Sequence, residues 1–268
     1  MCATIGNADF SAALRSWRSR RRMSQLELAI EAGTTQRHLS YIETGRSRPG
    51  RGMVLRLSEA LGLPLRERNS LLLSAGFAPT FGAAALDAPE LATIVGAVEN
   101  VLEGHLPYPA IATSPGGDLV SANRAFHALV DGVDEELLVE PVNVPRLLLD
   151  PRGLAPRIIN LQTWGWHVIH ALRQEDRRNP SPRLDALAAE LESFVPKEAA
   201  GTASDYIGLA TPLRLRHDGA ELSLITTLTH FATAVDVAVA ELRLEAFLPA
   251  DPPTAAALFR LGGKDGPR

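Results

Sequence analysis

The run Ser24-Gln25-Leu26-Glu27, taken with the glycines at 33 and 45, restricts the possible folds of this chain more than any other feature. A serine at an N-cap accepts from the Glu27 amide while the Glu27 carboxylate reaches back to the Ser24 amide, so a helix starts here with two orphan donors satisfied. Leu26, Leu28 and Ala29 are expected on its apolar face, and Gly33 stands where a left-handed residue ends a helix. Thr34 or Thr35 then caps a second helix, whose Leu39 and Ile42 turn inward. Gln36, Arg37, His38 and Tyr41 are left for solvent or a ligand, and Gly45 closes the helix. Two short helices across a glycine-containing turn form a unit whose second helix fits a DNA major groove.

The surrounding sequence extends this unit. Apolar positions recur at helical spacing from Phe10 to about Ala75 with no strand pattern, which predicts four or five short helices and an all-α domain over residues 1–80. The net charge of −4 conceals an asymmetry: residues 1–80 hold 12 arginines, no lysine and 6 acids, a net of +6. Residues 81–268 hold 15 basic and 25 acidic groups, a net of −10, so one end of the chain suits a polyanion. Glutamine can bridge adenine N6 and N7 and arginine guanine O6 and N7, which makes Gln36 and Arg37 candidate base readers with Tyr41 and His38 beside them. Arg46, Arg48 and Arg51 follow around Pro49, as phosphate contacts or as a solvated basic loop. Arg20, Arg21 and Arg22 fit either phosphate contact or helix-end cations favoured by the dipole.

Residues 9–76 resemble the phage-repressor type of helix-turn-helix, the XRE family. The resemblance rests on Ser24-Gln25, Glu27-Leu28-Ala29, Ala32-Gly33-Thr34-Thr35-Gln36, Ile42-Glu43, Gly45 and Pro49. It implies that Gln25 bonds a phosphate and buttresses Gln36, that Gln36, Arg37 and Tyr41 read bases, and that Arg18 pairs with Glu43. The candidate DNA-contact set is Gln25, Thr34, Thr35, Gln36, Arg37, His38, Tyr41, Arg46, Arg48 and Arg51.

Small residues and prolines from Ala78 to Pro89 lack helical periodicity and predict a linker over 81–89. Helical spacing returns at Leu91–Leu102, Asn123–Val130, Gly153–Arg173 and Leu184–Phe194. Short strands are expected at Ala110–Thr113 and Leu119–Ser121, across the turn Ser114-Pro115-Gly116-Gly117. Leu213–His217 and Glu221–Thr229 alternate across Asp218-Gly219, a hairpin signal, and a last strand is expected over Val235–Phe247. Residues 252–268 read as a C-terminal helix and frayed tail.

This second half resembles the ligand-binding part of MmyB-like transcription regulators. The matching stretches include Pro107-Tyr108-Pro109-Ala110, Ala122-Asn123-Arg124-Ala125, Gly153 to Ile158, Trp164 to Arg173, and Asp218-Gly219 through Pro249-Ala250-Asp251. Met53 to Leu57 and Arg66-Glu67-Arg68-Asn69 are similar to that family's first half. The sequence departs at Ser114 to Asp118, where the family usually has an aromatic residue, and near Thr233, where it has glycine and proline. The resemblance implies a multidomain chain: an all-α five-helix helix-turn-helix domain, then an α+β PAS-like domain at 90–251, a curved antiparallel sheet with flanking helices. Such a fold holds its pocket between sheet and helices, mostly apolar with a few polar anchors. Phe126, Leu129, Leu147, Ile158, Trp164, Phe231 and Val235 are the candidate walls, Asn123 and His167 the anchors. Each wall residue also fits plain core packing, and Asn123 a helix cap.

Other function classes find little support. His167 and His170 lie on one helix without a third metal ligand, and there is no nucleophile elbow or phosphate loop, so neither a metal site nor catalysis is expected. Haem or flavin held in the second domain, with His105, His127, His167 or His170 as an axial ligand, is an alternative, as is a domain serving only dimerisation or protein interaction. No apolar run approaches the roughly 18 residues of a membrane span, and no secretory start is evident, so a cytoplasmic chain is expected. The expected partners are double-stranded DNA at a palindromic operator, a second copy of the chain held through residues 90–251, and a small, largely apolar effector such as a fatty acid.

Overall fold

The computed structural model describes residues 5–84, 88–197, 211–231, 234 and 236–261. They fall into two compact units: Met1–Ala88 with Phe231–Ala240, and Pro89–His230 with Glu241–Arg268.

The first unit carries α1 (Ile5–Arg20), α2 (Gln25–Glu31), α3 (Gln36–Glu43), α4 (Arg51–Ala60) and α5 (Leu65–Ser74), an all-α arrangement. Its core takes Phe10, Leu14 and Trp17 from one stripe of α1, Leu28 and Ala29 from α2, and Leu39 and Ile42 from α3. Val54 and Leu57 of α4 and Leu71 and Leu72 of α5 complete it. Full burial of such a side chain stabilises by about 1.5–3 kcal/mol. Leu26 departs from expectation and is 52% exposed. It lies about 200° around the helix from Leu28, opposite the Leu28-Ala29-Ala32 stripe that packs inward.

Beyond α5 the chain is tied back to it by one buried amide. Asn69 Oδ1 accepts from the amides of Thr80 (3.0 Å) and Phe81 (3.1 Å), and Nδ2 donates to the Phe81 carbonyl at 2.8 Å. Asp236 and Val237 meet the chain just after this point. The Val237 amide donates to the Gly82 carbonyl at 2.7 Å, and Asp236 Oδ2 accepts from the Ala84 amide at 3.4 Å.

The second half runs α6 (Ala92–Gly104), β1 (Ala110–Thr113), β2 (Leu119–Ala122), α7 (Arg124–Leu129), α8 (Val144–Leu149), α9 (Leu161–Arg178) and α10 (Pro182–Glu192). It continues through β3 (Leu213–His217), β4 (Ala220–His230), α11 (Val237–Glu241), β5 (Arg243–Pro249) and α12 (Pro252–Leu261). The strands form one antiparallel sheet in the order β2-β1-β5-β4-β3, so the second half is α+β. Asp218 and Gly219, at φ 46° and 74°, make the tight β3–β4 turn, and positive φ at both positions matches the right-handed twist of the strands. Ile111, Leu213, Leu215, Leu222, Leu224 and Phe247 from the sheet pack with Leu147, Trp164, Ile169, Leu187, Leu191 and Leu258 from the helices.

Two elements differ from the sequence reading. The helix expected from Gly153 begins only at Leu161. Ile159 donates its amide to Arg214 O (2.8 Å), while the Asn160 side chain donates to Pro212 O (2.8 Å) and accepts from the Arg214 amide (3.0 Å). The stretch before α9 is thus committed to β3. The strand expected over Val235–Phe247 is interrupted by α11 and starts at Arg243. Asp236 Oδ1 accepts from the Ala238 amide at 2.8 Å, an aspartate-led turn into helix that competes with extended backbone. Val235 and the tail 262–268 lie outside the described residues.

Candidate functional site

Helices α2 and α3 are set by their caps. Ser24 Oγ accepts from the Glu27 amide at 3.1 Å, and Glu27 Oε2 accepts from the Ser24 amide at 2.6 Å. That backbone hydrogen bond holds the Glu27 carboxyl below its ordinary value. Gly33 turns the chain at φ +62°, which an L side chain rarely adopts. Thr35 then caps α3, its Oγ1 accepting from the His38 amide at 3.2 Å, while Thr34 Oγ1 lies 3.0 Å from His38 Nδ1.

The far end of α3 is strapped to α1. Ser11 Oγ donates to Ile42 O at 2.7 Å and Arg15 donates to the Glu43 carbonyl, satisfying last-turn carbonyls that would otherwise lack partners. Glu43 is 1% exposed and Arg18 15%; Arg18 Nε and Nη2 donate to the two carboxylate oxygens at 2.7 and 3.0 Å. The Glu43 hydrogen bond raises the Arg18 pKa above its ordinary value. Gln25 Nε2 also donates to Glu43 Oε2, at 2.8 Å, so its amide supports this buried carboxylate.

With both ends fixed, α3 presents an exposed face of Gln36 and Arg37. Arg37 Nε donates to the Tyr41 hydroxyl at 3.1 Å, and its guanidinium carbon lies 5.5 Å from the ring centroid, which orders a long cationic side chain along the outer surface. Arg46, Arg48 and Arg51 are exposed beyond the helix, with Arg51 Nη2 donating to Thr80 Oγ1 at 2.9 Å. Arg20 and Arg21 instead lie 5.2 and 5.9 Å from the Trp17 ring centroid, and Arg21 donates to Gly62 O.

The second unit contains a cavity of about 420 Å³. Trp164, His167, Val168 and Leu172 of α9 line it at helical spacing, and α8 adds Val144 and Leu148. The sheet contributes Thr113 of β1, Thr226 and Leu228 of β4, and Arg243, Glu245 and Phe247 of β5. The lining is mostly apolar, with Thr113, His167, Thr226, Arg243 and Glu245 among its polar members. Arg243 Nη2 is 2.8 Å from Glu175 Oε2 on α9. Burial pushes the Glu245 carboxyl above its ordinary value, against the opposing pull of Arg243.

Of the wall residues proposed from sequence, Trp164 faces this cavity, as does the anchor His167. Phe126 stacks on Phe247 at 6.1 Å, and Leu129, Leu147 and Ile158 are buried in the same core. These four fill the interior and do not line the cavity. Phe231 groups with the first unit, and Val235 is outside the described residues. Asn123 caps α7, accepting from the Phe126 and Ala110 amides at 3.1 Å each and donating to Leu102 O and Tyr108 O at 2.9 Å each. Sequence reasoning missed Arg243 and Glu245. Their period of two with Phe247 was the available signal, obscured by the misplaced start of the last strand. Among the described residues no group of three or more His, Cys, Asp or Glu could hold a metal ion, and no helix is long and apolar enough to cross a membrane.

Residues 94–261 match the family described as MmyB-like transcription regulator ligand binding domain, and residues 9–71 match a helix-turn-helix domain family. A Sinorhizobium fredii protein named "Uncharacterized HTH-type transcriptional regulator y4dL" is 42% identical over 52 residues, 19% of this chain. The matched stretch spans only 26% of that relative's length. The crystal structure of the clp gene regulator ClgR from C. glutamicum is similar over 26% of this chain and 88% of that one, at 27% identity and a TM-score of 0.24. With its matched ligand-binding domain taking in well over half of its length behind a helix-turn-helix domain, the chain belongs to the family of MmyB-like transcription regulators.

Proposed function

We propose that the protein is a cytoplasmic transcriptional regulator that reads a palindromic operator through α3 and alters its grip when a small, largely apolar effector such as a fatty acyl chain fills the cavity of the second unit. The observation that carries this reading is the exposed Gln36–Arg37 face, with half-buried Tyr41 beside it, on a helix held at both ends by the Thr35 cap and by the α1 strap of Ser11, Arg15 and Arg18. The DNA-contact set is Gln25, Thr34, Thr35, Gln36, Arg37, His38, Tyr41, Arg46, Arg48 and Arg51. Its functional domains are 1–80 for DNA and 90–251 for effector and dimerisation, joined by 81–89. The sheet order with helices packed on it supports a PAS-like reading of the second domain. A cavity of about 420 Å³ falls within the ~300–1,000 Å³ common to small-molecule sites.

One recognition helix covers too few base pairs to define a unique site, so the protein binds as a two-fold dimer on half-sites roughly 34 Å apart. Residues 1–80 contain no long heptad seam, which leaves the second domain as the main dimer contact. Salt dependence tests the phosphate contacts. Arg46→Ala and Arg51→Ala are expected to weaken binding to all sequences and to lower the slope of log K against log salt by about 0.9 per lost contact. Unchanged slopes would remove both residues from the interface.

Segment 231–240 leaves β4 and returns as β5, two strands that carry cavity residues, and its Asp236 and Val237 hold Gly82 and Ala84 of the DNA-binding unit. A Cβ on Gly82 would lie 2.5 Å from Asp236 Oδ2. Gly82→Ala is therefore expected to leave operator affinity without ligand unchanged and to shrink the response to a cavity ligand such as 1-dodecanol. Fluorescence anisotropy on labelled operator measures both quantities, and an undiminished response would exclude this segment as the coupling route.

A further inference from the structure

We infer that the cavity selects an amphiphile with a protonated amine head, held by the Glu245 carboxylate while its alkyl part lies against Leu148, Trp164 and Leu172. This rests on reading the cavity as the effector site and goes further by naming the head group. Glu245 stands on β5 directly opposite Ile111 of β1 and Leu228 of β4, so its cross-strand neighbours are both apolar. It lines the cavity, and the interactions acting on its carboxyl are burial and the charge of Arg243, with no hydrogen bond among them. Burial penalises its ionised form and the Coulombic pull of Arg243 only opposes that penalty, so a ligand that brings a hydrogen bond and a further positive charge would offset the cost.

The nearby charges favour a cation. Arg243, two residues along the same strand, is already compensated by Glu175 at 2.8 Å, so a carboxylate head would compete with Glu175 and face Glu245 as a like charge. His167 of α9 also borders the cavity. A hydroxyl head would give Glu245 one hydrogen bond but add no positive charge to that of Arg243, which Glu175 already shares. An ammonium supplies a charge-assisted hydrogen bond together with a second positive charge, which with Arg243 balances both Glu175 and Glu245. The raised pKa of Glu245 agrees with a carboxylate awaiting a cation, because burial penalises the ionised form until one arrives.

Titration calorimetry of the full chain near pH 7 with dodecylamine, 1-dodecanol and dodecanoic acid tests this. The amine is expected to bind at least about tenfold more tightly than the acid, because only the amine donates a charge-assisted hydrogen bond to Glu245. Glu245→Gln should remove that preference while leaving 1-dodecanol binding within about threefold, which also reports that the variant is folded. Glu245→Asp, which keeps the charge, should retain it. Tighter binding of the acid, an undiminished amine preference in Glu245→Gln, or loss of the preference in both variants would overturn the head-group assignment and leave the apolar pocket standing. Failure of all three compounds to bind the wild-type chain would overturn the pocket reading along with it.

Discussion

Glu43→Ala is expected to destabilise the DNA-binding unit by about 3–5 kcal/mol, a large part of the stability of a small domain. Glu43 is 1% exposed and accepts two hydrogen bonds from Arg18 and one from Gln25. Removing it leaves the Arg18 guanidinium, 15% exposed, without its carboxylate, and strands the Gln25 amide. The same pair at the surface would contribute less than about 1 kcal/mol, because solvent and side-chain entropy cancel most of the attraction. Replacing both charges, as Arg18→Met with Glu43→Leu, should recover much of the loss, since no uncompensated charge remains. Hydrogen exchange of the α2 and α3 amides in the full chain measures the effect where it acts, independently of the second unit. A loss below about 1 kcal/mol would mean that Arg18 finds another partner or water on losing Glu43.

Arg37→Ala and Gln36→Ala are each expected to cost about 1–3 kcal/mol of discrimination between the preferred base and its alternatives, with little change in binding to random DNA. Arg37 emerges one residue after Gln36 on the exposed face of α3, ordered along Tyr41 by a 3.1 Å hydrogen bond and a stacking contact. A side chain held in an extended arrangement loses less entropy on meeting a base edge than a free one. Tyr41→Phe, which keeps the ring and removes the hydroxyl, should therefore weaken discrimination less than Arg37→Ala does. Sequence selection from a random DNA pool with each variant reads this directly. Wild-type preferences in both alanine variants would move base reading off α3.

Much of the DNA-binding unit was legible because its signals are local. The Ser24 capping box, the Gly33 turn and the Thr35 cap each act within four residues, and the structure forms all three. The Arg18–Glu43 pair, 25 residues apart in sequence, was reached only through family resemblance. Leu26 was misassigned although its two-residue offset from Leu28 already sets it about 200° around the helix from the buried stripe. In the second unit the β3–β4 hairpin was readable from Asp218-Gly219, whereas the starts of α9 and β5 depended on long-range demands: Asn160 clamping β3 and Asp236 opening a helical turn. The cavity suffered most. Its walls come from five elements separated by more than a hundred residues, and large apolar side chains such as Phe126 and Leu129 serve a core as readily as a pocket.

The decisive measurement is operator affinity of the full chain with its cavity empty and filled. A site enriched from a random DNA pool should contain two symmetric half-sites about 34 Å apart. Its anisotropy titration should shift at least about tenfold when dodecylamine or 1-dodecanol saturates the second unit, equivalent to roughly 1.4 kcal/mol of differential binding between the two DNA-affinity states. A pool that yields no preferred sequence, or a preferred site whose affinity is the same with and without bound ligand, would contradict the reading of this chain as an effector-controlled DNA-binding regulator.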